Sequence, residues 1–272
     1  VLHKLLCVAL VLRKTFRMNR TGLIVALAIA VAVGVVFGVY PQLDVDVARL
    51  LFNPATNTYA IHRMLLPVRD GAMWLVVALA APAVVSLVLK LIAPRWRMLI
   101  PARGAVLMIV TLALGPGLIV NAILKDQYGR PRPADVQPLG GSHAFVAWWD
   151  PRGTCPQNCS FVSGDVSAGF WTLAPAALLP APWRPLAYTA AIAFGSGIAV
   201  LRMVFGGHFF TDVVFAAIIT FLIIWVTYNF LYRWMTCLTD AAIERWLERL
   251  VRPRSWFRRP DDQLPTDAAG SG

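Results

Sequence analysis

The chain has 272 residues, of which 58% are hydrophobic and only 14% are charged. With a mean hydropathy of +0.64, this composition is far from that of an ordinary soluble domain and is typical of a membrane protein. The formal net charge of +11 is interpreted as a topology signal and an attraction to anionic lipid, so a nucleic-acid partner is not expected.

The first 20 residues form a basic arm. Residues 2–12 are apolar, but they lack a small-residue cleavage site before the next basic run, so a cleaved signal peptide is not expected. Arg13, Lys14 and Arg17 follow the apolar stretch. The pattern predicts an amphipathic helix in the membrane interface.

Six apolar segments follow, each roughly as long as a helix that crosses about 30 Å of hydrocarbon. They are residues 21–40, 71–93, 104–124, 163–180, 186–203 and 208–231. The fourth segment contains Pro175 and ends at Pro180. Because no long linker and no internal repeat divides the chain, the pattern predicts one all-α polytopic membrane domain over residues 21–231.

The basic residues predict the orientation of these helices. Arginines and lysines gather in the N-terminal arm, in residues 95–103, at Arg184 and in the tail, residues 232–272. By the positive-inside rule this face is cytoplasmic, so both termini lie inside and the polar clusters lie on the opposite face. Within the tail, residues 241–257 resemble a surface helix, and residues 260–272 are predicted to be disordered.

The first polar cluster follows the third predicted span. Lys125 stands seven residues before Arg132, and Gly129 and two prolines break the helix between and beside them. Long basic side chains at a helix end either anchor the helix to headgroups or bind an anion. The rigid backbone and the face on which these residues lie favour an anion site for Lys125 and Arg132, with Arg130 as a weaker candidate for a headgroup contact.

The second cluster, Ser163, Gly164 and Asp165, begins the fourth predicted span. Serine in this position is a common helix N-cap, which needs no functional reason. The free N–H groups of a helix start also form an anion cradle that Gly164 leaves open to close approach. Asp165 competes with a phosphate there unless it is protonated or lies beside the cradle.

The third cluster contains Arg202, His208 and Asp212. His208 and Asp212 are four residues apart, which predicts one face of a helix and a carboxylate that orients the imidazole. A lone histidine at a membrane interface is more often structural. The neighbouring Asp212, the Gly206-Gly207 pair and Arg202 favour a catalytic histidine.

Two cysteines, Cys155 and Cys159, lie in the loop before Ser163. An oxidising exterior favours a disulfide between them, and two free thiols are the alternative. A metal site is not expected, because no histidine or further cysteine supplies the remaining ligands at a suitable spacing.

Together the three clusters resemble the signature of the phosphatidic acid phosphatase type 2/haloperoxidase superfamily, in its bacterial integral-membrane branch. The resemblance covers about residues 104–231. Its motifs are Lys125-x6-Arg132-Pro133, Ser163-Gly164 and Arg202-x5-His208-x3-Asp212. Two positions depart from the family pattern: Asp165 stands where the second motif has histidine, and Leu201 stands where the third motif has serine.

The resemblance implies a role for each matching residue. Lys125, Arg132, Arg202, Ser163 and Gly164 are implied to bind the phosphoryl oxygens. His208 is implied to attack phosphorus and form a phosphohistidine, with Asp212 orienting it. The family's second-motif histidine protonates the leaving group, so Asp165 is the matching candidate for that role, and His143 in the outer loop is a possible substitute.

The function predicted from these residues is removal of phosphate from a membrane lipid, without a cofactor or a metal ion, at the periplasmic side of a bacterial inner membrane. The candidate substrates are lipid A phosphate, a polyprenyl diphosphate, phosphatidylglycerol phosphate and phosphatidic acid, and the first two are favoured. Transfer of the phosphoryl group to another lipid uses the same residues, and binding or transport without turnover is a further alternative. The sequence indicates no particular oligomeric state.

Overall fold

The computed structural model describes residues 21–51, 58–235 and 237–251 of the chain. The amphipathic arm predicted for residues 1–20 and the disordered end predicted for residues 260–272 lie outside the described residues.

The described residues form helices and loops, with no strand among them, which confirms the predicted all-α fold. In chain order the α-helices of six or more residues in the described part of the chain are α1 (Thr21–Val39), α2 (Gln42–Leu51), α3 (Thr58–Ile92), α4 (Ala102–Leu112), α5 (Gly164–Trp171), α6 (Leu173–Leu178), α7 (Arg184–Val204), α8 (Phe210–Asn229) and α9 (Asp240–Val251). A π-helical segment, Ala113–Leu124, continues α4, and a second one, Phe230–Trp234, continues α8.

Five of the described helical segments are long and apolar enough to cross a membrane, as a polytopic fold requires. They are Thr21–Val39, Arg63–Ile92, Ala102–Leu124, Arg184–Val204 and Phe210–Trp234. The remaining predicted span, 163–180, forms the shorter pair α5 and α6, which is interrupted at Thr172. Pro175 accounts for the interruption, because its ring nitrogen has no hydrogen to donate to the carbonyl of Trp171.

Helix α5 lies inside the bundle, where it packs against α7 and α8. Gly169 makes the contact with α7 close: a Cβ added there would stand 2.7 Å from Cδ1 of Ile198. On another side, the buried indole N–H of Trp171 donates to the carbonyl of Met108 at 3.1 Å and to the hydroxyl of Thr111 at 3.0 Å. These contacts attach α5 to α4 and fix the position of the second motif.

The C-terminal helix α9 lies against the end of α3 that carries Lys90. The Lys90 ammonium, which is buried, pairs with Glu248 at 2.8 Å and with Glu244 at 3.2 Å. Ile243 and Leu247 on α9 are buried, as the amphipathic pattern requires. Of the surface helix predicted for residues 241–257, the described part is helical up to Val251, and residues 252–257 lie outside the described residues.

The opposite end of the bundle carries α2, the loop between α4 and α5, and the junction of α7 and α8. A small apolar cluster joins these parts; its buried members are Val45, Ala48, Val136, Leu139 and Phe209. The polar motifs lie at this end.

Candidate active site

The three motifs come together from separate elements. Lys125 follows the π-helical segment, Ser163 caps α5, Arg202 lies in the last turn of α7, and His208 lies between α7 and α8. The positive charges of Lys125, Arg132 and Arg202 all act on the imidazole of His208. The structure therefore brings the predicted phosphate-binding side chains and the predicted nucleophile into one site.

His208 is held in one orientation by the backbone. Its ring is buried, and Nδ1 lies 2.7 Å from the carbonyl oxygen of Ser160. Because a carbonyl oxygen only accepts, Nδ1 carries the hydrogen and Nε2 has the free electron pair. Nε2 lies 3.5 Å from Nη2 of Arg202, so the electron pair lies beside a guanidinium group.

The surroundings of His208 also determine its charge. Burial lowers the pKa of His208 well below its usual value of 6.5, and the positive charges of Arg202 and Arg132 act in the same direction. The hydrogen bond to Ser160 opposes this shift of the pKa without reversing it. At neutral pH the imidazole is therefore uncharged, which is the state that a nucleophile requires.

Asp212 is not the direct partner of His208 that the sequence predicts. Its buried carboxylate accepts hydrogen bonds from the backbone N–H of Phe209, at 2.8 Å, and from the hydroxyl of Ser160, and it pairs with Arg130. Since the Ser160 carbonyl holds the His208 ring, Asp212 reaches His208 through Ser160. The four-residue spacing does not place the two side chains on one helical face, because α8 begins at Phe210 and His208 precedes the helix.

Arg130, predicted as a headgroup contact, is instead fully buried. Its guanidinium pairs with Asp212 and with Asp44, at 2.8 Å, and donates to the hydroxyl of Thr211 at 2.9 Å. Asp44 on α2 also accepts from the backbone N–H of Thr211 at 3.1 Å. An arginine between two carboxylates thus joins α2 and the first motif to the start of α8.

Asp44 is not among the residues predicted from the sequence, because a single acidic residue in a short amphipathic helix has no chemical motif around it. A usable signal is its place on the apolar face of α2, where Val45 and Ala48 are also buried. An acidic residue on a buried face requires a charged or hydrogen-bonded partner.

The second motif forms the start of α5. The hydroxyl of Ser163 accepts from the backbone N–H of Val166 at 3.4 Å, as expected for an N-cap. No side chain larger than hydrogen fits at Gly164, because a Cβ there would stand 2.5 Å from Oδ1 of Asn121. Asn121 is itself held by a hydrogen bond to the carbonyl of Pro116 at 2.6 Å. The motif glycine therefore has a packing role beside its predicted role in an anion cradle.

Asp165 lies between two arginines. Arg69 on α3 contacts both carboxylate oxygens, with Nε 3.0 Å from Oδ2 and Nη2 3.2 Å from Oδ1. Arg202 places its Nε 3.3 Å from Oδ2. Two neighbouring cations favour the ionised carboxylate, which is a poor proton donor. Sequence reasoning missed Arg69, which stands with Asp70 directly before a predicted span and is easily taken for a membrane anchor.

The loop between α4 and α5 holds Arg132. Its Nη2 and Nε donate to the carbonyl oxygen of Asn158, at 2.8 and 3.2 Å. Asn158 lies between Cys155 and Cys159, whose Cα atoms are 5.8 Å apart and whose sulfur atoms are bonded. The predicted disulfide is therefore present in the structure, and it closes the loop that carries the acceptor for Arg132.

His143, the alternative proton donor, lies in the loop between α4 and α5. The His143 ring pairs through Nδ1 with the hydroxyl of Thr154 at 3.1 Å. Within residues 21–51, 58–235 and 237–251, no group of three or more His, Cys, Asp or Glu side chains is placed to hold a metal ion.

Residues 104–236 match the PAP2 superfamily. The lipid A 4'-phosphatase of Francisella tularensis subsp. novicida (strain U112) is 34% identical over 220 residues, which are 79% of this chain and 98% of that protein. The chain belongs to the PAP2 superfamily. This membership confirms the resemblance that the three motifs indicate.

Two other proteins described as lipid A 4'-phosphatases are similar to this chain over a shorter range. The lipid A 4'-phosphatase of Rhizobium leguminosarum is 36% identical over 104 residues, which are 38% of this chain and 45% of that protein. A second, from Rhizobium etli, is 36% identical over 102 residues, which are 38% of this chain and 40% of that protein. No solved structure gave a significant match.

The PAP2 range contains all three motifs, but it does not contain the whole site. Asp44 and Arg69 both precede residue 104, where the match begins. Each of them pairs with a charged residue inside the PAP2 range, Asp44 with Arg130 and Arg69 with Asp165. Helices α2 and α3 therefore supply the ion-pair partners of Arg130 and Asp165.

Proposed function

We propose that this protein is a lipid phosphatase that removes a phosphate from the sugar headgroup of a lipid A-type glycolipid at the outer face of the inner membrane. Membership of the PAP2 superfamily and a relative of nearly equal length that is described as a lipid A 4'-phosphatase support this class of substrate. The polyprenyl diphosphate that the sequence analysis also favours becomes the second candidate.

The observation that carries the proposal is the state of His208. Its Nδ1–H donates to the Ser160 carbonyl, and burial and neighbouring cations lower its pKa, so Nε2 is an uncharged nucleophile at neutral pH. Arg202 lies beside this atom. A phosphate bound by Arg202, Arg132 and Lys125 would lie within reach of Nε2, with its negative charge offset by three cations.

The reaction then proceeds in two steps. Nε2 of His208 attacks phosphorus, a phosphorus–nitrogen bond forms, and the bond from phosphorus to the sugar oxygen breaks. The sugar oxygen takes a proton from solvent and leaves as the hydroxyl of the lipid. A water molecule then attacks the phosphohistidine, inorganic phosphate leaves, and Nε2 regains its electron pair.

The arrangement of the ends of the bundle supports the outer face as the place of reaction. Arg69 beside the site and Lys90 beside α9 are 21 residues apart on α3, which is about 30 Å along a helix. Helix α9 and the site therefore lie near opposite ends of a membrane-spanning helix. A headgroup at the outer interface reaches the site while the acyl chains stay in the bilayer.

The test is phosphate release by the full-length protein purified in detergent. The panel consists of lipid A, a polyprenyl diphosphate, phosphatidylglycerol phosphate and phosphatidic acid. We expect inorganic phosphate from lipid A, and none after His208→Ala in protein that unfolds at the same temperature as the wild type. Labelled substrate should leave a phosphoryl group on the protein that survives alkali and is lost in acid.

Several results would contradict the proposal. Release only from the polyprenyl diphosphate would refute the substrate class, and a phosphorylated acceptor lipid in place of free phosphate would show transfer. His208→Ala activity within about tenfold of the wild type would refute the nucleophile. Binding of lipid A without release of phosphate would show a binder that does not turn over.

A further inference from the structure

The carboxylate of Asp165 is shared between two arginines at one oxygen. Oδ2 accepts a hydrogen bond from Nε of Arg69 at 3.0 Å and lies 3.3 Å from Nε of Arg202. The contact with Arg69 is a two-point fork, since Nη2 of Arg69 also donates to Oδ1. Arg69 therefore takes the directed hydrogen bonds, and Arg202 keeps an electrostatic contact.

Close neighbours restrict the position of the Arg202 side chain. Its side chain is 11% exposed, and a Cβ at Gly207 would stand 3.0 Å from its Nη2, so the guanidinium packs against the backbone there. Its Nε is buried and has no hydrogen-bond acceptor among the described residues. Its Nη2 lies beside Nε2 of His208. The ion pair with Asp165 thus holds one edge of the guanidinium, and the other edge faces the nucleophile.

We propose that Arg69 and Asp165 are positioning residues for Arg202, and that Asp165 does not protonate the leaving group. This inference rests on the proposed function, because it assigns Arg202 to the phosphoryl oxygens. Asp165 fixes the Nε edge of Arg202. Arg69 donates hydrogen bonds to both carboxylate oxygens of Asp165, so that Asp165 does not draw Arg202 away from the phosphate.

The balance of charge explains why both residues are needed. Removal of Arg69 alone leaves the charge of Asp165 to Arg202 and Lys125. The carboxylate then competes with a bound phosphate for these two cations. Removal of both residues takes away the competing carboxylate together with its partner. A positioning pair therefore predicts that loss of Asp165 relieves the defect caused by loss of Arg69, whereas a proton donor predicts no such relief.

The experiment compares Arg69→Gln, Asp165→Asn and the double variant in full-length protein, with kcat and KM measured for phosphate release from lipid A. Arg63→Gln is the matched control, because Arg63 is an exposed arginine on the same helix. We expect Arg69→Gln to lower kcat/KM by about 10- to 100-fold, through KM as well as kcat. The kcat/KM of the double variant should be about tenfold higher than that of Arg69→Gln and equal to that of Asp165→Asn.

Two further measurements separate the roles. The limbs of the pH profile of Asp165→Asn should stay at the wild-type positions, because no acid has been removed. Arg69→Lys should also lose activity, because an ammonium group does not form the two-point contact. Inorganic phosphate should raise the unfolding temperature of the wild type and of the double variant more than that of Arg69→Gln.

Some results would overturn the inference. They are a double variant no better than Arg69→Gln, loss of the basic limb in Asp165→Asn, full activity in Arg69→Lys, or an Arg69→Gln variant that matches Arg63→Gln. If the wild type releases no phosphate from any lipid, the proposed function fails, and the phosphate-protection measurement still decides whether Arg69 and Asp165 position Arg202.

Discussion

Replacement of Asp44 by alanine should destabilise the folded protein far more than the same change at Asp46, two residues along α2. Asp44 is buried and accepts three hydrogen bonds: from Arg130 at 2.8 Å, and from the backbone N–H and the hydroxyl of Thr211 at 3.1 and 2.6 Å. Asp46 is exposed, and its partner Arg49 stands on the same helix at 3.2 Å.

The expected magnitudes follow from this difference in burial. Removal of one partner from a buried ion pair costs about 3–5 kcal/mol, because the other charge stays buried. Arg130 keeps Asp212 as a second carboxylate, so the lower end of that range, about 3 kcal/mol, applies to Asp44→Ala. An exposed pair such as Asp46 with Arg49 contributes about 0–1 kcal/mol.

Thermal unfolding in a mild detergent, followed by tryptophan fluorescence, measures the difference. One kcal/mol corresponds to about 2–4 °C in the midpoint for a chain of this size, so Asp44→Ala should unfold roughly 6 °C or more below the wild type. Asp46→Ala should stay within about 3 °C of the wild type. Equal midpoints for the two variants would refute the view that the buried pair stabilises this end of the bundle.

Three further predictions concern charge, redox state and topology. Because the pKa of His208 is lowered, an NMR titration should find its ring still uncharged as the pH falls through 6.5. The stability of the folded protein should decline in the same pH range, because the unfolded chain takes up a proton there before the folded protein does. A ring that protonates at or above pH 6.5 would contradict this prediction. Mass spectrometry of unreduced protein should find Cys155 joined to Cys159, and reduction should lower activity; two free thiols would remove the disulfide. Single cysteines at Gly140 and Gly270, in a background without native thiols, should label from opposite sides of the membrane, and labelling from one side would overturn the topology.

The site residues that the sequence predicts well are those that stand at short, fixed intervals from one another. The intervals from Lys125 to Arg132 and from Arg202 to His208 identify the motifs, and the structure places these side chains around one imidazole. Partners that are distant in the chain leave no such interval: Asp44 pairs with a residue 86 positions away. The burial of a single charged residue also leaves no interval in the sequence. Arg130 therefore resembles a surface anchor in the sequence, although it is buried in the structure.

The helices, like the site residues, are predicted where local sequence decides and mispredicted where tertiary packing decides. A long apolar run predicts a long helix because any sequence that crosses hydrocarbon must satisfy its backbone internally. Residues 163–180 have the same composition as a span, yet α5 is enclosed by other helices and its chain is interrupted near Pro175. Composition alone does not distinguish a helix surrounded by lipid from one surrounded by protein.

The two carboxylates that pair with Arg130 lie on either side of it in the chain, one more than 80 residues before it and one more than 80 residues after it, which has a consequence for biogenesis. Asp44 is synthesised 86 residues before Arg130, and Asp212 is synthesised 82 residues after it. While the ribosome is between these points, the guanidinium has one of its two acidic partners, and the second arrives only when the start of α8 emerges. Insertion of α8 is therefore the event that completes the charge network. A nascent chain that stops before α8 would hold Arg130 with Asp44 as its one carboxylate partner of the two.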